Sequence, residues 1–237
     1  MAYYDALFAS PPTGLGARLN RAQVEAHFRR LGVPAGGRVA EVGPGRGEMA
    51  QRCLRAGLSY VGLDANPSVC ALVREMGGEA VEAFAPPLPL EDGSADAVYA
   101  NSVVEHMPDH LRALELIQEM ARVARPGGRV VVHSPDLLAC GIHFWNSEYS
   151  HSFPTTRRRL GQLFHDAGLR TLSAEYVAGP FSGLAARLVG GGMGLFPHRL
   201  AAALCLGRVS SEQWYKTRTA LMRSVLMVGE KRSVNDE

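Results

Sequence analysis

Two periods of apolar residues divide this chain. Leu19, Val24, Phe28 and Leu31 recur near helical spacing, and Gly32 with Pro34 closes the run. The pattern predicts an amphipathic opening helix over about 18–31 that packs across one edge of the main domain. From Arg38 onward the apolar runs become short and rich in valine. Residues 38–42 and 59–63 read as strands, and 47–56 and 67–76 as the helices that follow them. Short strands near 80–83 and 97–100 come next, then a long helix over about 109–124. The turn Pro126-Gly127-Gly128 feeds a strand at 129–133. A helix over 155–167, closed by Gly168, and strands over 169–177 and 224–229 complete the series.

Strand and helix in alternation imply a parallel sheet covered on both faces, a doubly wound α/β architecture. Residues 1–237 are expected to form one domain, with an N-terminal helical segment at about 1–35. Two insertions interrupt it on the acceptor side, at about 135–155 and 178–216. In the second, Gly190-Gly191-Gly192 breaks the rhythm. No internal repeat or low-complexity stretch is visible.

With 237 residues, 46% hydrophobic and 20% charged, the chain can fill one substantial core. The formal charge is only +2, from 25 basic and 23 acidic residues, which speaks against nucleic acid as a main partner. Cys53, Cys70, Cys140 and Cys205 form no CxxC pair, and the N-terminus lacks the basic-then-apolar pattern of a secretory signal. A reduced, cytoplasmic protein is expected. The apolar region 179–207 is broken by Arg187, Pro197, His198 and Arg199. It falls short of the roughly 18 residues that a membrane span needs, so no transmembrane segment is expected.

The strongest chemical signal is Glu41-Val42-Gly43-Pro44-Gly45-Arg46-Gly47, where the first strand turns into the next helix. Glycines there let a ligand approach the backbone, and the helix N-terminus favours polar or anionic groups. Asp64 ends the second strand, 21 positions after Gly43 (64 − 43). A carboxylate at that point can accept both hydroxyl protons of a ribose, or it can cap the helix that starts at Asn66-Pro67-Ser68. These two elements alone leave a nicotinamide cofactor open.

EVGPGRG, VGLDAN, LPLEDGSADAVYANSVVEHMPD and RVARPGGRVVVHSPD, in that order, closely resemble the class I S-adenosylmethionine (SAM)-dependent methyltransferases, with a domain of the type 11/12 kind. The resemblance runs from about Arg38 to Leu172. It implies a Rossmann-like sheet of seven strands, mostly parallel with an antiparallel C-terminal strand. It also implies SAM as cofactor and S-adenosylhomocysteine (SAH) as product. Carried over by position, Gly43 and Gly45 line the methionine part of SAM, with Glu41 near its ammonium. Asp64 holds the ribose hydroxyls, and Ala65 and Asn66 lie beside the adenine. Asn101 turns its backbone carbonyl to the ammonium, with Ser102 next to it. Many relatives place an Asp where this chain has about Phe84. Phe84 by stacking, or Ala85 by its backbone amide, is the substitute, and a core role for Phe84 is the alternative.

For the acceptor, the family points to the segment after the fifth strand, His143-Phe144-Trp145-Asn146-Ser147-Glu148-Tyr149-Ser150-His151-Ser152-Phe153. Aromatics shape a pocket and histidines can deprotonate a nucleophile. His151, His106 and His143 are the candidate bases, weighed against loop-ordering and packing roles. Asp136, His143 and His151 match no short metal motif, and no metal is expected. Arg157-Arg158-Arg159 opens a helix, and the plainer reading is a solvated face. The 178–216 insertion either covers the acceptor, forms a homodimer surface or simply packs. The expected activity is SN2 methyl transfer, at oxygen, to a small-molecule or sugar acceptor in secondary-metabolite or glycan biosynthesis. An amine N-methyltransferase, a non-catalytic SAM-binding scaffold and a nicotinamide oxidoreductase are the alternatives.

Overall fold

The computed structural model describes residues 14–195 and 221–233. Eight strands form one sheet: β1 (Arg38–Val42), β2 (Ser59–Asp64), β3 (Glu79–Glu82), β4 (Ala95–Asn101), β5 (Ala124–Pro135), β6 (Leu169–Ala178), β7 (Phe181–Ser182) and β8 (Ser224–Lys231). Their order is β3-β2-β1-β4-β5-β8-β6-β7. Pairings from β3 through β5 are parallel, whereas β8 runs antiparallel to both β5 and β6.

The helices are α1 (Gly14–Leu31), α2 (Glu48–Arg55), α3 (Pro67–Glu75), α4 (His110–Val123), α5 (Leu137–Cys140), α6 (His143–Ser147), α7 (Arg157–Asp166) and α8 (Gly183–Leu195), with a 3-10 turn at Val104–His106. Starts follow their capping residues. The Asn66 side chain accepts from Ser68 N–H at 2.9 Å with Pro67 at the first helical position, Asp109 accepts from Arg112 N–H, and Thr156 accepts from Arg159 N–H.

Both faces of the central strands are buried, and successive residues take opposite sides. Ala40, Val98, Ala100, Val130 and Val132 join Leu116, Ile117, Met120, Leu160 and Phe164 on one face. Val39, Ala97, Tyr99 and Val131 join Leu31, Met49, Cys53 and Val73 on the other. This leaves the loops at the C-terminal strand ends to build a site.

Four expectations change. The sheet has eight strands rather than seven, because the Gly179-Pro180 turn, with Gly179 at φ 55°, folds Phe181–Ser182 back onto β6 as a two-residue edge strand. Helix α1 begins at Gly14 and lies over the central strands β4 and β5 and against α2, instead of across an edge. His27 Nδ1 meets the Tyr99 hydroxyl at 2.7 Å, and Gln23 reaches His133. The Pro126-Gly127-Gly128 turn is a bulge within β5, since Ala95 pairs with Ala124 while Ala97 pairs with Arg129.

The fourth change concerns the glycine run, which is helical, within α8. A Cβ on Gly190 would stand 3.0 Å from both Cβ and N of Arg223. The bare glycine lets α8 dock against the approach to β8. The rest of the 178–216 insertion lies outside the described residues, as do residues 1–13 and Cys205.

Candidate functional site

A cavity of about 390 Å³ opens at the C-terminal ends of β1, β2 and β4. That is within the size range of small-molecule sites. Its wall contains Glu41, Gly43, Gly45, Asp64, Asn66, Asn101 and Ser102, seven of the ten residues assigned to the cofactor from sequence.

Gly43 sits at φ 69°, donates its N–H to the Leu63 carbonyl at 2.8 Å, and would bring a Cβ to 2.9 Å from Val103 Cγ2. A side chain there is excluded both by backbone conformation and by space. Asp64 uses Oδ1 to accept the Asn66 N–H at 2.9 Å, and Asn66 caps α3. The capping alternative for Asp64 therefore falls to Asn66. Burial pushes the Asp64 carboxyl above its ordinary value, partly countered by the backbone N–H groups of Asn66 and Ala65.

Glu41 is buried, and burial pushes its carboxyl up to about 8 against the opposing hydrogen bond from the Tyr60 hydroxyl; Glu48 and Asp64 nearby add to the rise. Such a group suits a cationic partner. Asn101 and Ser102 are fixed from below. His133 Nδ1 donates to Asn101 Oδ1 at 2.7 Å, and Ser102 N–H bonds the His133 carbonyl at 2.9 Å. Burial drives His133 down to about 4, so its ring stays neutral. Ser102 adopts φ 55°, the sole positive φ of a non-glycine among the described residues. Backbone held in that region commonly marks a functional turn.

Three cofactor candidates lie off the wall. Phe84 is 76% exposed, so it belongs to neither the cavity nor the core; Ala85 packs against the core, and Ala65, between Asp64 and Asn66, is not part of the lining. Conversely, Asn20 and Val24 of α1, and Tyr99, line the cavity without having been singled out from sequence. An amphipathic stripe shows that a helix is covered on one side. It does not show what it covers.

The cavity wall also holds His106 and Glu148. The Ser150 hydroxyl donates to Glu148 Oε1 at 2.9 Å and lies 3.0 Å from His106 Nδ1. Its single proton is committed to Glu148, so it accepts from His106 Nδ1–H. His151 Nδ1 donates to the Phe144 carbonyl at 2.6 Å, and its Nε2 lies 3.8 Å from Glu148 Oε2. The two imidazole centroids are 4.9 Å apart. Burial lowers His106, while Glu148 raises it.

Glu105 lies fully buried beneath this pair and takes a hydrogen bond from the Ser134 hydroxyl at 2.8 Å. Its backbone carbonyl accepts from Ser152 and Phe153 N–H, which ties the segment after α6 to the 3-10 turn. His143 stands apart, by a separate shallow pocket with Ile142, Trp145 and Asn146. Asp136 pairs with Arg223 at 2.7 Å instead of joining any histidine. Arg157 and Arg159 are partly stacked, on Tyr176 and Phe153.

Residues 40–132 match the family model described as "Methyltransferase domain". Over these residues the chain is similar to methyltransferase domains. Glu41, Gly43 and Asp64, which the sequence resemblance assigned to the ammonium, methionine and ribose parts of SAM, all stand in the cavity wall.

An uncharacterized methyltransferase of Mycobacterium sp. (strain KMS) is 40% identical over 102 residues, 42% of this chain and 39% of that one. A tRNA (carboxymethyluridine(34)-5-O)-methyltransferase of Mus musculus is 31% identical over 101 residues, 43% of this chain and 15% of that one. The matches thus span about two fifths or less of these relatives' lengths.

Among solved structures, a chain of the complex between the Haloferax volcanii Trm112 methyltransferase activator and a methyltransferase aligns with a TM-score of 0.70 at 19% identity. That alignment covers 97% of this chain and 98% of that one. Geranyl diphosphate methyltransferase in complex with SAM aligns with a TM-score of 0.64 at 20% identity, covering 96% and 94%. At these identities the likeness is one of fold. No helix among the described residues is long and apolar enough to cross a membrane.

Proposed function

We propose that the protein transfers the methyl group of SAM to a hydroxyl of a small-molecule or sugar acceptor. The observation that carries this reading is one cavity whose wall holds both the cofactor candidates and His106 with Glu148, with His151 beside Glu148. SAM, when bound, supplies a methyl group already activated for displacement, with SAH as leaving group.

The chain's own part is then alignment and proton handling. Asp64 accepts from the ribose hydroxyls, Glu41 faces the ammonium, and the rigid Asn101–Ser102 turn sets the depth of the ligand. Alignment of this kind contributes roughly 7–11 kcal/mol to such reactions. Neutral His106, in the cavity wall, takes the acceptor's proton, and Glu148 stabilises the imidazolium that results. His151, whose ring packs edge-on against His106 beside Glu148, supports the same transfer. His143 faces a different pocket and is left to loop packing.

Calorimetric titration with SAH, with NADH as control, tests the cofactor. Micromolar SAH binding without NADH binding is expected; the reverse would return the nicotinamide reading. A screen of hydroxylated acceptors by mass spectrometry then tests the transfer. His151→Ala is expected to bind SAH as wild type does while losing at least tenfold in turnover. Full turnover in that variant would remove His151 from the reaction.

A further inference from the structure

Glu41 and Tyr60 lie on the same face of neighbouring parallel strands. Val39 pairs with Tyr60 and Glu41 with Gly62, so the tyrosine stands two residues before the glutamate's own partner. Its hydroxyl crosses that diagonal and donates to Glu41 Oε2, and both side chains are buried. We infer that Tyr60 is a positioning residue of the cofactor site, which fixes Glu41 so that Oε1 is the oxygen left for the ligand's ammonium. The inference rests on the reading of the cavity as a SAM site.

The ring is closely seated. A Cβ on Gly62 would stand 3.4 Å from the Tyr60 hydroxyl and 2.6 Å from Pro44 Cγ, and one on Gly78 would stand 3.1 Å from Tyr60 Cδ1. Bare glycines at these two positions leave room for the phenol ring and for Pro44 of the turn after β1. Tyr60 has one proton to donate and commits it to Oε2. Glu41 belongs to the cavity wall, so its second oxygen serves the cavity.

This arrangement couples ligand binding to a proton. The other groups that face Glu41 are Tyr99 of β4, Glu48 and Cys53 of α2, and Asp64 at the end of β2, none of them a cation. Burial, with Glu48 and Asp64, outweighs the Tyr60 bond and raises the carboxyl to about 8. Near pH 7 the carboxyl is therefore protonated without ligand, and donation from Tyr60 to Oε2 keeps that proton on Oε1. An ammonium arriving there favours the ionised form, and the proton leaves to the buffer. The Tyr60 bond then strengthens, because a hydrogen bond to an ionised acceptor is roughly twice as strong as one to a neutral acceptor.

Calorimetric titration of the full chain with SAH and with 5′-methylthioadenosine, in buffers of different ionisation enthalpy, tests this. Methylthioadenosine keeps the adenine, ribose and sulfur but has no ammonium, so any proton that Asp64 exchanges with the ribose appears with both ligands. At pH 7 the wild type should release about one proton more with SAH than with methylthioadenosine, a count that requires no variant to fold. Tyr60→Phe should weaken SAH about tenfold at pH 7 and methylthioadenosine by less than about twofold, with the SAH defect shrinking toward pH 9. In Glu41→Gln the extra proton should vanish, and adding Tyr60→Phe to it should change SAH affinity no further. Equal proton counts for the two ligands in the wild type would overturn the inference while leaving the cofactor reading in place. So would a folded Tyr60→Phe that weakens both ligands alike, or one that binds SAH as wild type does at pH 7. Binding of neither ligand would overturn the cofactor reading itself, and this inference with it.

Discussion

Glu41 meets opposite demands from folding and from binding. Burial carries its carboxyl from 4.5 up to about 8, so near neutral pH the cofactor-free folded chain holds a proton there that the unfolded chain has released. The folded state binds more protons between those two values. The stabilising share from this group is therefore complete below about 4.5 and is lost as pH rises through about 8. Each pH unit of that window corresponds to about 1.4 kcal/mol. Glu41→Gln keeps an acceptor for the Tyr60 hydroxyl and cannot ionise. Thermal melts should superimpose with wild type near pH 4.5 and favour the variant by several degrees at pH 9, while calorimetry shows SAH affinity reduced about tenfold or more. A variant that melts below wild type at pH 9 would mean that the folded protein holds Glu41 ionised. At Asp64 the two demands coincide less, because Asn66 already caps α3. Asp64→Ala should cost about 3 kcal/mol of SAH binding, the worth of one or two charged hydrogen bonds, with a smaller change in melting temperature.

Among the elements, α1 couples the cofactor cavity to the rest of the fold. Asn20 and Val24 face the cavity, while Gln23 and His27, on the same helix, touch His133 and Tyr99 on the central strands. Ligand in the cavity adds contacts to one side of α1 only. Amide exchange should slow across residues 14–31 when SAH is added and stay unchanged in α4, whose buried face packs in the opposite layer. Equal exchange in α1 with and without SAH would show that the helix does not sense the ligand. The placement of α1 was beyond the reach of sequence because Leu19, Val24, Phe28 and Leu31 define a stripe without naming its partner. The strands were far more legible, since β1, β2 and β4 bury both faces and so read as short, mainly apolar runs. Two-residue β7 is too short to carry any period, and the helical Gly190 follows from its contact with Arg223, a residue 33 positions away (223 − 190). In the site, Glu41, Gly43 and Asp64 were legible because local turn chemistry dictates them. His133 beneath Asn101, and Glu148 beside the His106–His151 pair, became visible only once strand register and the segment after α6 brought distant residues together.

At the scale of the molecule, the cavity draws on α1, β1, β2, β4 and the segment after α6, so a ligand bound there touches several separate parts of the chain at once. A ligand that binds the folded state alone stabilises it by RT ln(1 + [L]/Kd), about 2.7 kcal/mol at a hundredfold excess over Kd. For a chain of this length each kcal/mol raises the melting temperature by roughly 2–4 °C. SAH at that excess should raise the transition by roughly 5–10 °C in a scanning fluorescence or calorimetric melt. The same SAH concentration should leave Asp64→Ala within about 1–2 °C of its ligand-free value, since the loss of about 3 kcal/mol in affinity removes most of the linkage. The shift should also grow with the logarithm of SAH concentration above Kd. A melt that ignores SAH in the wild type would place the ligand elsewhere than in this cavity. A shift that survives undiminished in Asp64→Ala would leave the cavity in place but take the ribose contact away from that carboxylate.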